Sequence, residues 1–189
     1  MPQLFEESDL QFSFPDDWVV RKFDGTRAYQ SLSGHGLKGV DFIALSPDER
    51  LWLVEVKNYR PRYSDARQYK AQRRTPRALA EHLVGKLRDT QRLLRIVNKS
   101  LTANWWFPAW RVLRRLKPNR NSNYWFWTEA YRRALLPYST ECVLWLETPE
   151  RESDYDSAVK RELEMLLPEG MRVHITERDG NIVLPFSRL

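Results

Sequence analysis

The sequence predicts an α/β protein in which helices flank a mixed β-sheet. Short apolar runs of strand length lie towards both ends of the chain, and between them the leucines from Leu79 onward recur with a period near 3.6 residues. The order is strand, strand, strand, helix, insertion, strand, helix, strand, which is typical of a sheet covered by helices. With 189 residues, 42% of them hydrophobic, we expect a single domain over residues 1–189 with a helical insertion at 99–138.

The N-terminal third of the chain is expected to supply three strands. The first is WVVRKFD, which follows Pro15 and runs into Asp24-Gly25, a dipeptide typical of hairpin turns. After a glycine-rich loop come two apolar runs, VDFIALS and LWLVEVKNY, separated by the turn SPDER. This arrangement predicts two adjacent antiparallel strands that are buried on both faces.

The middle of the chain is expected to be largely helical. Residues 60–77 are polar and basic and contain two prolines, which indicates a crossing loop with a helical turn. A long amphipathic helix follows, and its apolar face is formed by Leu79, Leu83, Leu87, Leu94 and Val97.

The insertion mixes arginines and prolines with clustered aromatics, namely Trp105, Trp106, Phe107, Trp110, Trp125, Phe126 and Trp127. These rings would either stack on bases or pack a helical subdomain, a homodimer interface or another protein partner. The packing interpretation is favoured, because aromatic side chains fill cores and interfaces more often than they form stacking platforms.

The C-terminal third predicts a strand, a helix and a last strand. ECVLWLE is typical of a buried strand, SDYDSAVKRELEMLL of a helix with Ser153 or Asp154 as its N-cap, and MRVHITE of a final strand. Together with the N-terminal strands, these elements complete the predicted sheet.

Targeting and redox signals favour the cytoplasm. No apolar run approaches the roughly 20 residues that cross a bilayer, so no transmembrane segment is expected. The N-terminal MPQLFEESDL is acidic and lacks the apolar region of a signal peptide, and the lone Cys142 cannot form an internal disulfide.

Positive charge is concentrated in one section of the chain. Residues 57–133 hold 20 Lys and Arg against 4 Asp and Glu, whereas the rest of the chain holds 11 against 21. A concentrated cationic section attracts polyanions, because each neutralised phosphate releases condensed counterions. Nucleic acid or an anionic membrane surface is therefore favoured over an ordinary solvated basic face.

Three ionisable residues on the predicted strands are candidates for chemistry. Because side chains alternate along a strand, Glu55 and Lys57 share a face, and the turn SPDER would bring Asp41 alongside Glu55. Burying these charges without compensation is costly. A hard divalent cation such as Mg²⁺ would compensate, with the Val56 carbonyl as a further ligand, although ordinary salt-bridged strands remain an alternative.

The segment GVDFIALSPDERLWLVEVKNY resembles the core of the PD-(D/E)xK nuclease superfamily, in which an Asp is followed by two strands and Glu-x-Lys. The resemblance implies a restriction-endonuclease-like fold and a Mg²⁺-dependent nuclease, with Mn²⁺ as a substitute metal. Asp41 and Glu55 would hold the metal and Lys57 would assist phosphodiester hydrolysis. Many members also carry an acidic residue on a first helix, for which Glu6 or Glu7 is the candidate.

The expected substrate is DNA rather than RNA. Phosphate contacts are predicted for basic residues near the site, namely Lys38, Arg60, Arg62, Arg67, Lys70, Arg73, Arg74, Arg77, Lys86 and Arg88. The alternative from another class is a catalytically inactive nucleic-acid-binding or scaffolding module with the same fold.

Overall fold

The computed structural model describes residues 2–34, 36–59, 62–64, 67–69, 73–103, 119–147, 153–176 and 186–188. The strands are β1 (Gln3–Glu7), β2 (Leu10–Phe14), β3 (Val19–Lys22), β4 (Phe42–Leu45), β5 (Leu51–Asn58), β6 (Arg62–Ser64), β7 (Arg67–Tyr69), β8 (Thr140–Glu147), β9 (Arg172–Ile175) and β10 (Ser187–Arg188). The helices are α1 (Arg27–Ser33), α2 (Pro76–Thr102), α3 (Asn123–Ala134) and α4 (Ser153–Leu166). No helix within these ranges is long and apolar enough to cross a membrane.

A five-stranded mixed sheet forms the centre of the fold, with the strand order β3-β4-β5-β8-β9. The first three strands are antiparallel neighbours, whereas β5, β8 and β9 run parallel to one another. Parallel neighbours need a crossover, and α2 with α3 precedes β8 while α4 precedes β9. The predicted α/β class and the antiparallel pairing of β4 with β5 are therefore confirmed.

The helices cover one face of this sheet. Helix α2 begins at Pro76, and the Thr75 hydroxyl caps it by accepting a hydrogen bond from the Ala78 N–H. Its apolar stripe packs against strand residues in a single core, which includes Ile43, Leu53, Leu79, Leu83, Leu87, Phe126, Val159 and Leu163. The amphipathic helix predicted from the leucine spacing is thus confirmed.

A second core lies on the opposite face of the sheet. Strands β1, β2 and β10 form a three-stranded antiparallel sheet, whose aromatic side chains pack on the central sheet. Phe12 lies edge-on to Phe42 and Trp145, with ring centroids 5.6 and 5.2 Å apart. Strands β4 and β5 are therefore buried on both faces, as their continuous apolar runs predicted.

The N-terminal region differs from the sequence prediction. Ser8 and Asp9 adopt positive φ angles of 53° and 62°, so they form the tight turn of the β1–β2 hairpin. Glu6 and Glu7 therefore lie on a strand, and their expected place on a first helix is wrong.

The Asp24-Gly25 pair does not form a hairpin turn. It precedes α1 instead. The Thr26 hydroxyl caps the first turn of this helix by accepting a hydrogen bond from the Tyr29 N–H. Strands β3 and β4 still pair, but they are joined through α1 and the following loop. The hairpin turn predicted from Asp24-Gly25 is wrong, because α1, which packs against the core, outweighs the local turn propensity of this dipeptide.

The basic middle section contains more strand than predicted. Strands β6 and β7 form a two-stranded antiparallel ribbon where a crossing loop was expected. Of the predicted insertion 99–138, residues up to Thr102 continue α2, and α3 buries Phe126 and Trp127 in the main core. The aromatics Trp105, Trp106, Phe107 and Trp110 lie outside the described residues.

Candidate active site

Asp41 is held at the start of β4 by backbone contacts on both sides. Its N–H donates to the Val54 carbonyl at 3.0 Å, and its own carbonyl accepts from the Phe23 N–H at 2.8 Å. The carboxylate turns towards β5, where Oδ2 accepts a hydrogen bond from the Val56 N–H at 2.7 Å. The strand register, with Phe42 opposite Val54, places Asp41 opposite Glu55.

Glu55 and Lys57 lie on the helix-facing side of β5. The Lys57 ammonium donates to Glu55 Oε1 in a direct ion pair. The Glu55 side chain is only 1% exposed, whereas that of Lys57 is 25% exposed and reaches the protein surface. The structure thus brings the three predicted residues together at one place.

A fourth charged residue, Lys86, enters the site from α2. Its Nζ lies 2.7 and 2.8 Å from the two carboxylate oxygens of Glu55 and 3.6 Å from Asp41 Oδ1. Lys86 is a predicted phosphate-binding residue, but its ammonium lies between the two carboxylates. A signal for this was present, because Lys86 lies seven residues from both Leu79 and Leu93 and so shares their buried side of the helix.

The four groups form a charge-balanced cluster of two carboxylates and two ammoniums. Burial and the neighbouring Glu55 carboxylate raise the pKa of Asp41 to about 6, although Lys86 and the Val56 N–H act in the opposite direction. Burial alone would lower the pKa of Lys86, but the Glu55 and Asp41 carboxylates outweigh it and raise this pKa. At neutral pH the lysine is therefore charged, and it favours the ionised form of Asp41.

Two hydrogen bonds from α2 hold the segment that leads into Asp41. The buried Thr90 hydroxyl accepts from the Val40 N–H at 3.1 Å and donates to the Lys86 carbonyl at 2.8 Å. Asp89 accepts from the Lys38 N–H at 3.0 Å. Sequence reasoning missed Thr90, whose role depends on how α2 crosses β4.

His82 lies one helical turn before Lys86, at the border of the cluster. Burial lowers the pKa of His82, and the cations Arg74 and Lys57 lower it further. The imidazole is therefore neutral near pH 7.

The carboxylate pair matches the donors that Mg²⁺ prefers, which are one or two carboxylates together with water and phosphate oxygens. Among the described residues, however, no group of three or more His, Cys, Asp or Glu is arranged to hold a metal ion. Glu7 lies near enough to contribute to the raised pKa of Asp41, but its carboxylate is paired with Lys22 at 3.0 Å. Glu6 is exposed on the other side of β1, so any ion would rely on Asp41 and Glu55.

The predicted phosphate-binding residues are distributed unevenly around the site. Arg74, Arg77 and Arg88 are exposed, and Lys38 is exposed on the loop before Asp41. Arg73 instead lies over the Tyr155 ring at 5.3 Å from its centroid. The side chains of Arg62 and Arg67 are not described, and Arg60 and Lys70 lie outside the described residues.

Comparisons with known proteins returned no match, whether against family models, curated proteins or solved structures.

Proposed function

We propose that this protein is a metal-dependent nuclease that hydrolyses phosphodiester bonds of DNA at the Asp41–Glu55–Lys57 site. The observation that carries the proposal is the meeting of two carboxylates and a partly exposed lysine from adjacent strands, with a raised pKa for Asp41. Ionisable groups with shifted pKa values concentrate at functional sites, because catalysis needs charges that an ordinary core avoids. The restriction-endonuclease-like fold belongs to the same proposal, and the β3-β4-β5 meander followed by α2 and the parallel β8 supports it.

In this proposal the carboxylates of Asp41 and Glu55 and the carbonyl of Val56 would hold Mg²⁺. The bound ion would supply Lewis-acid polarisation of the phosphodiester and acidify a water molecule. Lys57, whose ammonium is fixed by Glu55 and reaches the surface, orients the attacking water or offsets the negative charge that develops on the phosphate. Without a bound ion, the Lys86 ammonium balances the charge of the two acids.

A nuclease assay with single substitutions tests this proposal. Linear, nicked and single-stranded DNA are incubated with the protein and Mg²⁺ or Mn²⁺. We expect wild-type cleavage that depends on the metal, loss of detectable cleavage in Asp41→Asn and Glu55→Gln, and a fall of about a hundredfold in Lys57→Met. Glu164→Gln, an exposed carboxylate on α4, is the control and should cleave like wild type.

Calorimetric titration with Mn²⁺ gives a second readout that is independent of cleavage. Wild-type protein should bind the ion, and Glu55→Gln should weaken binding at least tenfold, because one of two charged ligands is lost. Metal-dependent cutting that survives both Asp41→Asn and Glu55→Gln would show that the nuclease site lies elsewhere.

A catalytically inactive nucleic-acid-binding module is the second candidate. The observation that favours it is the Lys86 ammonium, which already occupies both oxygens of Glu55 and leaves the buried charges balanced without a metal. This candidate predicts DNA binding that weakens steeply with salt, no cleavage with either metal, and no effect of Asp41→Asn on affinity.

A further inference from the structure

The solvent face of α2 carries a row of exposed residues that we call the α2 ridge. Its members recur every three or four residues and therefore lie on one side of the helix. They are Arg77, Glu81, Gly85, Arg88, Arg92, Arg95 and Lys99, all exposed.

The positive charges of the ridge are largely uncompensated. Arg77 pairs with Glu81 at 3.1 Å, but no carboxylate among the described residues pairs with the other four cations, which are Arg88, Arg92, Arg95 and Lys99. These four are spaced by four, three and four residues, so like charges are helical neighbours throughout. Each such pair disfavours the helix by about 0.2–0.5 kcal/mol. Charge pairing within the helix therefore does not explain why these four cations are present.

Gly85 is the second feature that folding does not explain. It lies in the middle of a 27-residue helix, where glycine costs about 1 kcal/mol relative to alanine. Beyond the neighbouring helix backbone, a Cβ added to Gly85 would meet nothing within 4 Å, so no packing contact of the protein requires a glycine here. It adjoins Lys86 in sequence and lies at the edge of the ridge on the side towards Lys86, which contacts Glu55.

We propose that the α2 ridge binds the phosphate backbone of double-stranded DNA, with Gly85 allowing the backbone to approach the helix closely beside the Asp41–Glu55 site. Arg88 and Lys99, the first and last of the four uncompensated cations, are 11 positions apart, which is about 17 Å of helix or roughly five base-pair steps. This inference rests on the proposed function for the identity of the partner. Binding is tested without divalent metal, so that its outcome is separate from that of cleavage.

The test compares two double variants that remove equal charge. Arg92→Gln/Arg95→Gln lies in the ridge, whereas Arg120→Gln/Arg161→Gln removes exposed arginines outside α2. Affinity for a fluorescent 20-base-pair duplex is measured by anisotropy in EDTA over a series of salt concentrations. We expect the ridge variant to bind at least tenfold more weakly near 0.1 M salt. We also expect its slope of log K against log salt to fall by about 1.8, since each lost phosphate contact removes about 0.9.

Equal weakening by the two double variants would overturn the ridge as a docking surface and leave only general electrostatic attraction. If wild-type protein binds the duplex but does not cut DNA with either metal, the nuclease proposal is wrong and the ridge proposal is unaffected. If wild-type protein cuts DNA and the ridge variant still binds the duplex normally, the ridge proposal is wrong and the nuclease proposal is unaffected.

A single substitution tests the role of Gly85. Gly85→Gln places a neutral side chain in open space and raises helix propensity, so the melting temperature should not fall. The Kd for the duplex should nevertheless rise at least fivefold, because the added side chain holds the backbone away from the helix. An unchanged Kd would overturn close approach at this position.

Discussion

At the scale of single residues, the charge balance of the candidate site depends most on Lys86. Its ammonium contacts both carboxylate oxygens of Glu55, which is almost completely buried. Lys57 contacts only one of these oxygens and is more exposed. Removal of Lys86 would leave a buried carboxylate with incomplete compensation, which is far more costly than loss of an exposed ion pair.

We therefore expect Lys86→Met to lower the free energy of unfolding by about 3 kcal/mol. Combining it with Glu55→Gln should recover at least half of this loss, because the double variant no longer buries an uncompensated charge. Urea denaturation of the two single variants and the double variant measures both values. Arg88→Gln, on the exposed side of the same helix, is the control and should change stability by less than about 0.5 kcal/mol. Additive effects of the two single substitutions would contradict direct coupling.

The raised pKa of Asp41 makes a prediction for pH. The carboxyl group holds its proton up to about pH 6 in the folded protein, but only to its ordinary value of 3.8 in the unfolded chain. Folding is therefore favoured by this group below pH 3.8, and the advantage is lost as the pH rises through 6. The loss is on the order of 3 kcal/mol, from 1.36 kcal/mol per pKa unit.

Urea midpoints of wild type and Asp41→Asn, measured between pH 4 and 8, test this. As the pH rises, the wild-type protein should lose stability relative to Asp41→Asn, whose side chain does not titrate. A constant difference across the range would show that the pKa of Asp41 is not shifted in the folded state.

At the scale of elements, the docking of α2 on β4 determines whether Lys86 reaches the carboxylates. Thr90 connects α2 to the segment that leads into β4, because its hydroxyl accepts a hydrogen bond from the Val40 N–H and donates one to the Lys86 carbonyl. Asp41 follows Val40 directly, so this bond positions the carboxylate relative to the helix.

Thr90→Val keeps the shape of the side chain and removes its hydroxyl. We expect a loss of about 1–3 kcal/mol of stability, since the Val40 N–H would be buried without an acceptor. Thr90→Ser keeps the hydroxyl and should lose less. Denaturation by urea measures stability. Equal losses in the two variants would indicate that the methyl group, and not the hydrogen bond, carries the contribution.

Some of these elements could be predicted from the sequence and others could not. Strands β4 and β5 and their pairing were predictable, because they are apolar runs joined by a turn of only five residues. A shift of the register by one residue would turn the side chains of one strand to the opposite face of the sheet. The β1–β2 hairpin was not predicted, because its turn residues, Ser8 and Asp9, lack the Asn-Gly or Asp-Gly signature that appears instead at Asp24-Gly25. Local turn propensity is weak compared with the burial of Phe12 and Phe14 in the second core.

At the scale of the whole molecule, the central sheet is shared by two cores. Residues of β5 alternate between them: Leu51 and Leu53 face the helices, while Trp52 and Val54 face the three-stranded sheet. Damage to either core should therefore weaken the strands that carry the candidate site.

Phe12→Ala tests this coupling, because Phe12 is fully buried between Phe42 and Trp145. We expect a loss of about 3–5 kcal/mol. Unfolding should remain a single transition in which tryptophan fluorescence and far-UV circular dichroism coincide. Two separate transitions would show that the N-terminal sheet unfolds independently of the central one.

The sequence by itself determined the pairing of Asp41 with Glu55 and the common face of Glu55 and Lys57, since strand alternation and a short turn are local properties. It also determined that α2 is an amphipathic helix, because the spacing of its leucines specifies the apolar face. Only the tertiary structure decided that Lys86 lies between the carboxylates and that Glu7 pairs with Lys22, because these contacts depend on how distant segments cross the sheet. Periodicity specifies which side of a helix or strand is buried. Which residues that side contacts depends on how the whole chain packs.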